Sequence, residues 1–299
     1  MSPEPMVVNI ERSIIKKYRK EIWSNFVKAV KKYEMICEGD KICVCVSGGK
    51  DSILLAKCLQ EIQRHGEISF ELKFMLADPG YDISTLAVVE QNAEVMRIPL
   101  ERFQTHIFDI VKQVDGDPCY LCARMRRGHL YSGAKDLGCN KIALGHHQDD
   151  VIETIMLNLF YGAETKTMMP KLRSRNFEGM ELIRPLYHVK EESIIAWRNY
   201  NNLKFINCAC PLNDACEIDG VDESLEFAKK VLNSHILGTR PILQTGKRKE
   251  IKNLLKILNT INPEIKQNIF NGLENINLDA VVGYRSGGER KSFLDNYQE

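Results

Sequence analysis

Residues 42–58 read ICVCVSGGKDSILLAKC. A β-branched apolar run stops at Ser47, two glycines, Lys50, Asp51 and Ser52 follow, and an apolar, helix-compatible segment begins. A strand passing through glycines directly into a helix can aim backbone amides at an anion, and the helix N-terminus adds partial positive charge. Ser47 and Ser52 offer hydroxyl donors, and Lys50 offers a compact cation suited to phosphate. The spacing is neither GxxxxGK[ST] nor GxGxxG. The plainer alternative is a glycine-rich turn capped by Asp51 or Ser52, and the strand–turn–helix context argues against it.

Outward from this loop, strand-like and helix-like segments alternate. KICVCV, FELKFMLA, LERFQTH and KIALG read as strands; the helices between and after them end with QDDVIETIMLNLFYG. Alternation over residues 41–162 predicts an α/β fold, a parallel sheet with helices on both faces. Ligands of such folds sit beyond the carboxyl ends of the strands, where strand order reverses. SGGKDS, ADPG (Ala77–Gly80) and GHHQDD (Gly145–Asp150) each follow a predicted strand, so topology predicts that they line one edge. Before the sheet, residues 9–36 show apolar positions at helical spacing. After it, the pattern loosens from about residue 163, and helices are predicted at 221–237, 248–258 and 263–273. RSGGERKS at 285–292 echoes the loop but lacks its ending and lies in a polar tail, so it reads as coincidence.

The chain has 299 residues, 44% apolar and 27% charged, as in ordinary globular proteins. No apolar run approaches the roughly 20 residues that span a bilayer, and no secretory signal is legible, so a cytoplasmic protein without membrane contact is expected. A net charge of +1 does not by itself suggest nucleic acid. Ten cysteines are too sparse for a disulfide scaffold, and clustered ones read as metal ligands or reactive thiols. Cys37, Cys43, Cys45, Cys58 and Cys139 stand among apolar residues and read as small buried hydrophobes. CYLCARMRRGHLY, Cys119–Tyr131, is different: a CxxC at a helix start presents two thiols to one metal. Cys208, Cys210 and Cys216 can complete the site. Two of them would make a Cys₄ zinc site, and one would make three corners of a [4Fe–4S] cluster. Spacing does not decide between the metals.

SGGKDS after a strand resembles the PP-loop of the ATP pyrophosphatase superfamily, whose members grip the β,γ-pyrophosphate of ATP and transfer AMP to a carbonyl-type oxygen. CYLCARMRRGHLY, KIALGHHQDDVIETIMLNLFYG, MMPKL and IRPLYHVKE together resemble the tRNA 2-thiocytidine synthetase group, from about Ile42 to Cys208. The resemblance implies a PP-loop, adenine nucleotide α-hydrolase-like (Rossmann-like) fold, with a helical segment at 1–40, a catalytic domain at 41–210, an insertion at 211–244 and a helical region and tail at 245–299. It implies ATP-dependent replacement of a cytidine O2 by sulfur at position 32 of the tRNA anticodon loop, with ATP, Mg²⁺ and a [4Fe–4S] cluster on Cys119, Cys122 and Cys208. A cysteine desulfurase or other sulfide donor is the expected partner, and a homodimer fits the group. The sequence departs from the group in having Cys208-Ala209-Cys210 where a CxxC is usual, which keeps Cys210 as a competing ligand. The competing functions are a PP-loop sulfurtransferase for another tRNA nucleoside or a small molecule, and a non-catalytic ATP- and zinc-binding module.

Within that reading, Ser47, Gly48, Gly49, Lys50, Asp51, Ser52, Ala77, Asp78, Gly145 and His146 are expected to bind ATP. Lys50, Asp51 and Asp150 are the expected catalytic residues. Lys50 would stabilise charge on the leaving pyrophosphate. Asp51 reads as a helix cap or an indirect magnesium partner, Asp78 as a nucleotide contact or a turn aspartate. Asp149 and Asp150 open a predicted helix, where capping explains one and Mg²⁺ the other. Arg124, Arg127 and Lys171 are the expected RNA contacts, against a background of ordinary surface charge.

Overall fold

The computed structural model describes residues 3–111, 118–206 and 246–297. Strand β1 (Lys41–Cys45) is buried after its first residue. A strand covered on both faces needs a continuous apolar run, which is what ICVCV supplies. It continues through the loop into α3 (Lys50–His65). Then follow β2 (Glu71–Asp78), α4 (Ile83–Val95), β3 (Leu100–Gln104), α5 (Ile107–Val111), α6 (Pro118–Asp136), β4 (Lys141–Ala143) and α7 (Gln148–Gly162). The sheet is completed by β5 (Lys171–Arg173) and β6 (Glu181–Ile183), in the order β3-β2-β1-β4-β6-β5. β2, β1, β4 and β6 pair in parallel, with Ile42 opposite Leu72 and Val44 opposite Ala143. The α/β expectation holds, with one correction: β5 runs antiparallel to β6. Both lie beyond residue 163, where the apolar pattern loosens, and the sequence pattern predicts neither as a strand.

Because β1 leads outward to β2 and β3 while β4 lies on its other side, strand order reverses between β1 and β4. The loops after those two strands therefore flank the crevice that the topology predicts.

The N-terminal segment is helical but not one regular helix. α1 (Pro3–Arg12) passes through π-helical turns at Ser13–Lys17 and Arg19–Trp23 into α2 (Ser24–Lys32). Three contacts hold it on the sheet domain. The Ser13 hydroxyl accepts hydrogen bonds from Trp197 Nε1 and Asn201 Nδ2, both 3.1 Å, at α8 (Glu191–Tyr200) and its end. The Tyr18 hydroxyl donates to the Ala196 carbonyl at 2.9 Å. Glu11 pairs with Lys57 at 2.6 Å and Arg64 at 2.8 Å on α3. Burial pushes the Lys57 pKa down, with Glu11 pulling against it. Four of the five cysteines read as buried are buried; Cys37 is exposed.

The described residues fall into two compact units, one within Met1–Val151 and Met168–Val221, the other within Ile152–Thr167 and Asp222–Glu299. The second unit holds α9 (Lys247–Ile261), α10 (Ile265–Gly272) and a hairpin of β7 (Gly283–Ser286) and β8 (Glu289–Ser292). Gly287 and Gly288 form its turn with φ of 62° and 90°, a conformation two-residue hairpins require. The glycines of RSGGERKS thus serve a hairpin, not a strand-to-helix loop. The helix predicted at 221–237 and the 211–244 insertion lie outside the described residues. Among the described residues no helix is long and apolar enough to cross a membrane.

Lys57 is 1% exposed, so removing its carboxylate strands a buried ammonium. Glu11→Gln is expected to lower unfolding free energy by about 3 kcal/mol at neutral pH, measured by urea denaturation. Burial raises the Glu11 pKa, but the bonds from Arg64 and Lys57 outweigh it and hold the group below its ordinary 4.5. Its contribution is therefore complete above that value and fades as pH falls through the lowered folded pKa. The variant should lack that part of the acid-side loss.

Candidate functional site

The loop after β1 closes on itself through Ser52. Its hydroxyl donates to the Gly49 carbonyl at 3.0 Å and accepts from the Ser47 amide at 3.1 Å, with the Ser47 hydroxyl 3.2 Å away. Gly48 holds φ +83°, and a Cβ there would stand 2.5 Å from Val89 Cγ2. Glycine is needed for both reasons. Gly49 is the N-cap of α3, with no side-chain cap. The helix amides are thus not occupied by Asp51, and the reading of Asp51 as a cap is corrected.

Asp51 instead faces the cleft. Its Oδ1 is buried without a hydrogen-bond partner, while Oδ2 accepts from Lys50 Nζ at 3.2 Å. Burial pushes its pKa up; the charges of Lys50 and His147 pull it down, and that of Asp150 pushes it up again. Lys50 Nζ also meets Glu191 Oε1 at 3.3 Å. Burial opposes the ammonium, but these two carboxylates overcome it and raise the pKa. Glu191, the first residue of α8, had no signal of its own in sequence beyond following IRPLYHVK.

The second loop approaches from β4. A Cβ on Gly145 would lie 3.1 Å from the Asp51 carbonyl carbon and the Ser52 nitrogen, so a side chain there presses on backbone. His147 and Asp150 exchange bonds at the start of α7: the His147 amide donates to Asp150 Oδ2 at 3.0 Å. His146 Nδ1 accepts from Arg184 Nε at 3.2 Å. Arg184 also donates to the Met169 carbonyl. Burial lowers the Arg184 pKa to about 10.

These loops and α6 enclose a cleft of about 460 Å³. Ser47, Asp51, Ser52, Ala77, Gly145, His146 and Asp150 line it, as the sequence reading grouped them. Gly48, Gly49 and Lys50 are not among its lining residues. Asp78 is not on it: its Oδ1 accepts from the Gly80 and Tyr81 amides at 2.9 and 2.8 Å, and its Oδ2 meets Arg102 at 2.9 Å. That is a turn aspartate. Asp149 is turned away too, accepting from the Glu191 amide at 2.7 Å. The carboxylate that faces Asp150 is Asp51, not Asp149.

The opposite wall comes from α6 through Arg126, Arg127, Leu130 and Tyr131. Arg126 Nε is buried without a partner. Cys122 is half-buried, not disulfide-bonded, and one helical turn before Arg126. Cys119 lies three positions earlier in the same helix, and Cys208 lies outside the described residues. Among the described residues, no group of three or more His, Cys, Asp or Glu gathers as a metal site. Arg124 is exposed on α6. Lys171 donates to the Glu34 carbonyl at 2.8 Å and meets Glu181 at 3.5 Å, away from the cleft lining.

Two variants probe this geometry. Asp51→Asn removes a buried, half-satisfied carboxylate whose raised pKa costs stability above the acid range, so the ligand-free protein should gain about 1 kcal/mol in unfolding free energy while ATP turnover falls at least tenfold. Gly48→Ala meets both the positive φ and Val89, and should lose about 2 kcal/mol together with ATP affinity, measured by calorimetry.

Comparison with known proteins places this arrangement. A family model described as a PP-loop domain matches residues 19–211. A tRNA-cytidine(32) 2-sulfurtransferase of Citrifermentans bemidjiense is 32% identical, the match covering 83% of this chain and 88% of that protein. The enzyme of the same name from Delftia acidovorans is 38% identical over 75% of this chain and 72% of its own. In three dimensions, a U34-tRNA thiolase from Methanococcus maripaludis, solved with its [4Fe–4S] cluster, shares the fold at a TM-score of 0.60 and 19% identity, covering 88% of this chain and 80% of that one. The chain belongs to the PP-loop family, in the branch of the tRNA-cytidine(32) 2-sulfurtransferases.

Proposed function

We propose that this chain uses ATP to exchange the O2 of a tRNA cytidine, position 32 of the anticodon loop, for sulfur, releasing pyrophosphate and then AMP. One observation carries the reading: a single cleft has the SGGKDS loop on one wall and, on the other, the helix that holds Cys119 and Cys122. That helix meets the cleft through Arg126, Arg127, Leu130 and Tyr131, beginning one turn after Cys122.

The chain's own residues divide the work. The uncapped amides at the start of α3, with Ser47 and Ser52, suit the β,γ-phosphates of ATP. Lys50, held between Asp51 and Glu191, needs only a side-chain swing to follow charge onto the departing pyrophosphate. The unpartnered oxygen of Asp51 beside Asp150 fits a hard divalent cation, so these two would hold Mg²⁺. Arg126 on the α6 wall and Arg184 beside His146 put positive charge on the cleft where an adenylated cytidine would be attacked by sulfide. Cys119, Cys122 and a downstream cysteine make a soft all-thiolate donor set that fits iron–sulfur ligation. A [4Fe–4S] cluster on three thiolates supplies, when bound, an iron with an open position for sulfide. Cys208 is the proposed third ligand. A cysteine desulfurase or other sulfide donor, cytoplasmic location and a homodimer complete the reading.

The test is nucleoside analysis by mass spectrometry of tRNA from cells lacking the chain. Loss of 2-thiocytidine, restored by the natural chain and not by Lys50→Ala, is expected; unchanged 2-thiocytidine overturns the proposal. Anaerobic purification with iron and zinc analysis checks the ligands. Cys119→Ala and Cys208→Ala should lose iron while Cys210→Ala keeps it, and a colourless zinc protein contradicts the assignment.

A further inference from the structure

The chain is nearly neutral, but its charge is unevenly placed. Between Arg12 and Lys32 it carries eight Lys and Arg against one carboxylate, Glu21, so the remainder, with 33 cations and 39 carboxylates, is net acidic. All eight cations are exposed. Arg12, Lys16, Arg19, Lys20, Lys28 and Lys31 form no ion pair among the described residues. Lys28, Lys31 and Lys32 crowd one face of α2 at spacings of three and four, which repels unless an anion answers it. Folding does not need this charge, because the segment is held by its other side.

That other side is buried. Ile14, Ile22, Phe26 and Val30 are at most 5% exposed, and Ser13, Tyr18 and Glu11 fix the segment on α8 and α3. A basic helix that inserts into lipid needs a free apolar face, and this one has none. What remains is a rigid cationic surface with an aromatic beside it: Lys17 Nζ lies 3.9 Å over the ring of Tyr200, itself half exposed. Two π-helical turns widen the helix within it, a local irregularity common where helices serve function. The surface belongs to the same compact unit as the cleft.

We propose that this N-terminal face, Arg12–Lys32, is a docking surface for the phosphate backbone of folded RNA, positioning the substrate whose cytidine enters the cleft. The proposal rests on tRNA being the substrate. Phosphate contacts position without reading sequence, so this face sets affinity while the cleft selects the nucleoside. It adds to Arg124, Arg127 and Lys171 a preorganised surface outside the nucleotide site.

The test replaces Lys16, Lys20, Lys28 and Lys31 together by Gln in the full chain, and in a second variant by Arg. Binding of a fluorescent unmodified tRNA transcript is followed by anisotropy across added salt. The Gln variant should bind at least about tenfold more weakly near 0.1 M salt, with the slope of log K against log salt reduced by about three. The Arg variant should recover both, and ATP binding should be unchanged throughout. Unchanged tRNA affinity and slope in the Gln variant overturn the proposal. So does loss confined to anionic phospholipid vesicles, which would point to a membrane. A natural chain that binds tRNA through this face but leaves every cytidine unthiolated sinks the proposed reaction, not this surface.

Discussion

The structure turns on how closely two backbones approach at the reversal of strand order. Gly145 leaves little room beyond a hydrogen where the Asp51–Ser52 peptide passes, while Gly48 makes room for the Val89 side chain of α4. Neither contact is strong. The Gly145 contact brings the loop after β1 and the loop after β4 close enough to share one cleft, so that Asp51 and Asp150 meet from elements about a hundred residues apart. A parallel sheet makes such meetings available because its loops all exit at one end. The glycines decide whether the backbones can use it.

Polar groups are treated differently at the two ends of this sheet. Away from the cleft, buried charges are satisfied. Lys141 Nζ has Asp40 at 2.7 Å, the Met35 carbonyl at 3.1 Å and Glu181 at 3.5 Å. Lys57 has Glu11, Gln60 and the Met96 carbonyl. At the cleft, Asp51 Oδ1 and Arg126 Nε are buried without partners. An unmet buried polar atom costs stability, and it persists where a ligand is to meet it. That two such atoms share one cleft lining agrees with the site that the motifs mark.

Much of this was legible in sequence because the signals were local. The strand–glycine–helix transition at Ser47–Ser52 and the Gly145–Asp150 turn carry their geometry in adjacent residues, and both were grouped correctly on one edge. What escaped depended on distant partners. Nothing near Asp78 says that Arg102 will meet its carboxylate, nor anything near Asp149 that the Glu191 amide will claim it. Of the two readings of Asp51, helix cap or indirect magnesium partner, the cap fails because Oδ1 has no hydrogen-bond partner, Oδ2 takes Lys50, and Ser52 ties the loop. β5 and β6 lack the continuous apolar run that marked β4, and the hairpin at 283–292 was hidden by its polarity.

The clamp of Glu11 on Lys57 bears on where this protein can be cut. The match to the PP-loop family model begins at residue 19, eight positions beyond Glu11. A chain trimmed to that stretch would keep the whole cleft lining and still leave Lys57 buried without its carboxylate partner at 2.6 Å. The stretch that the PP-loop model matches and the stretch that stability requires do not coincide here.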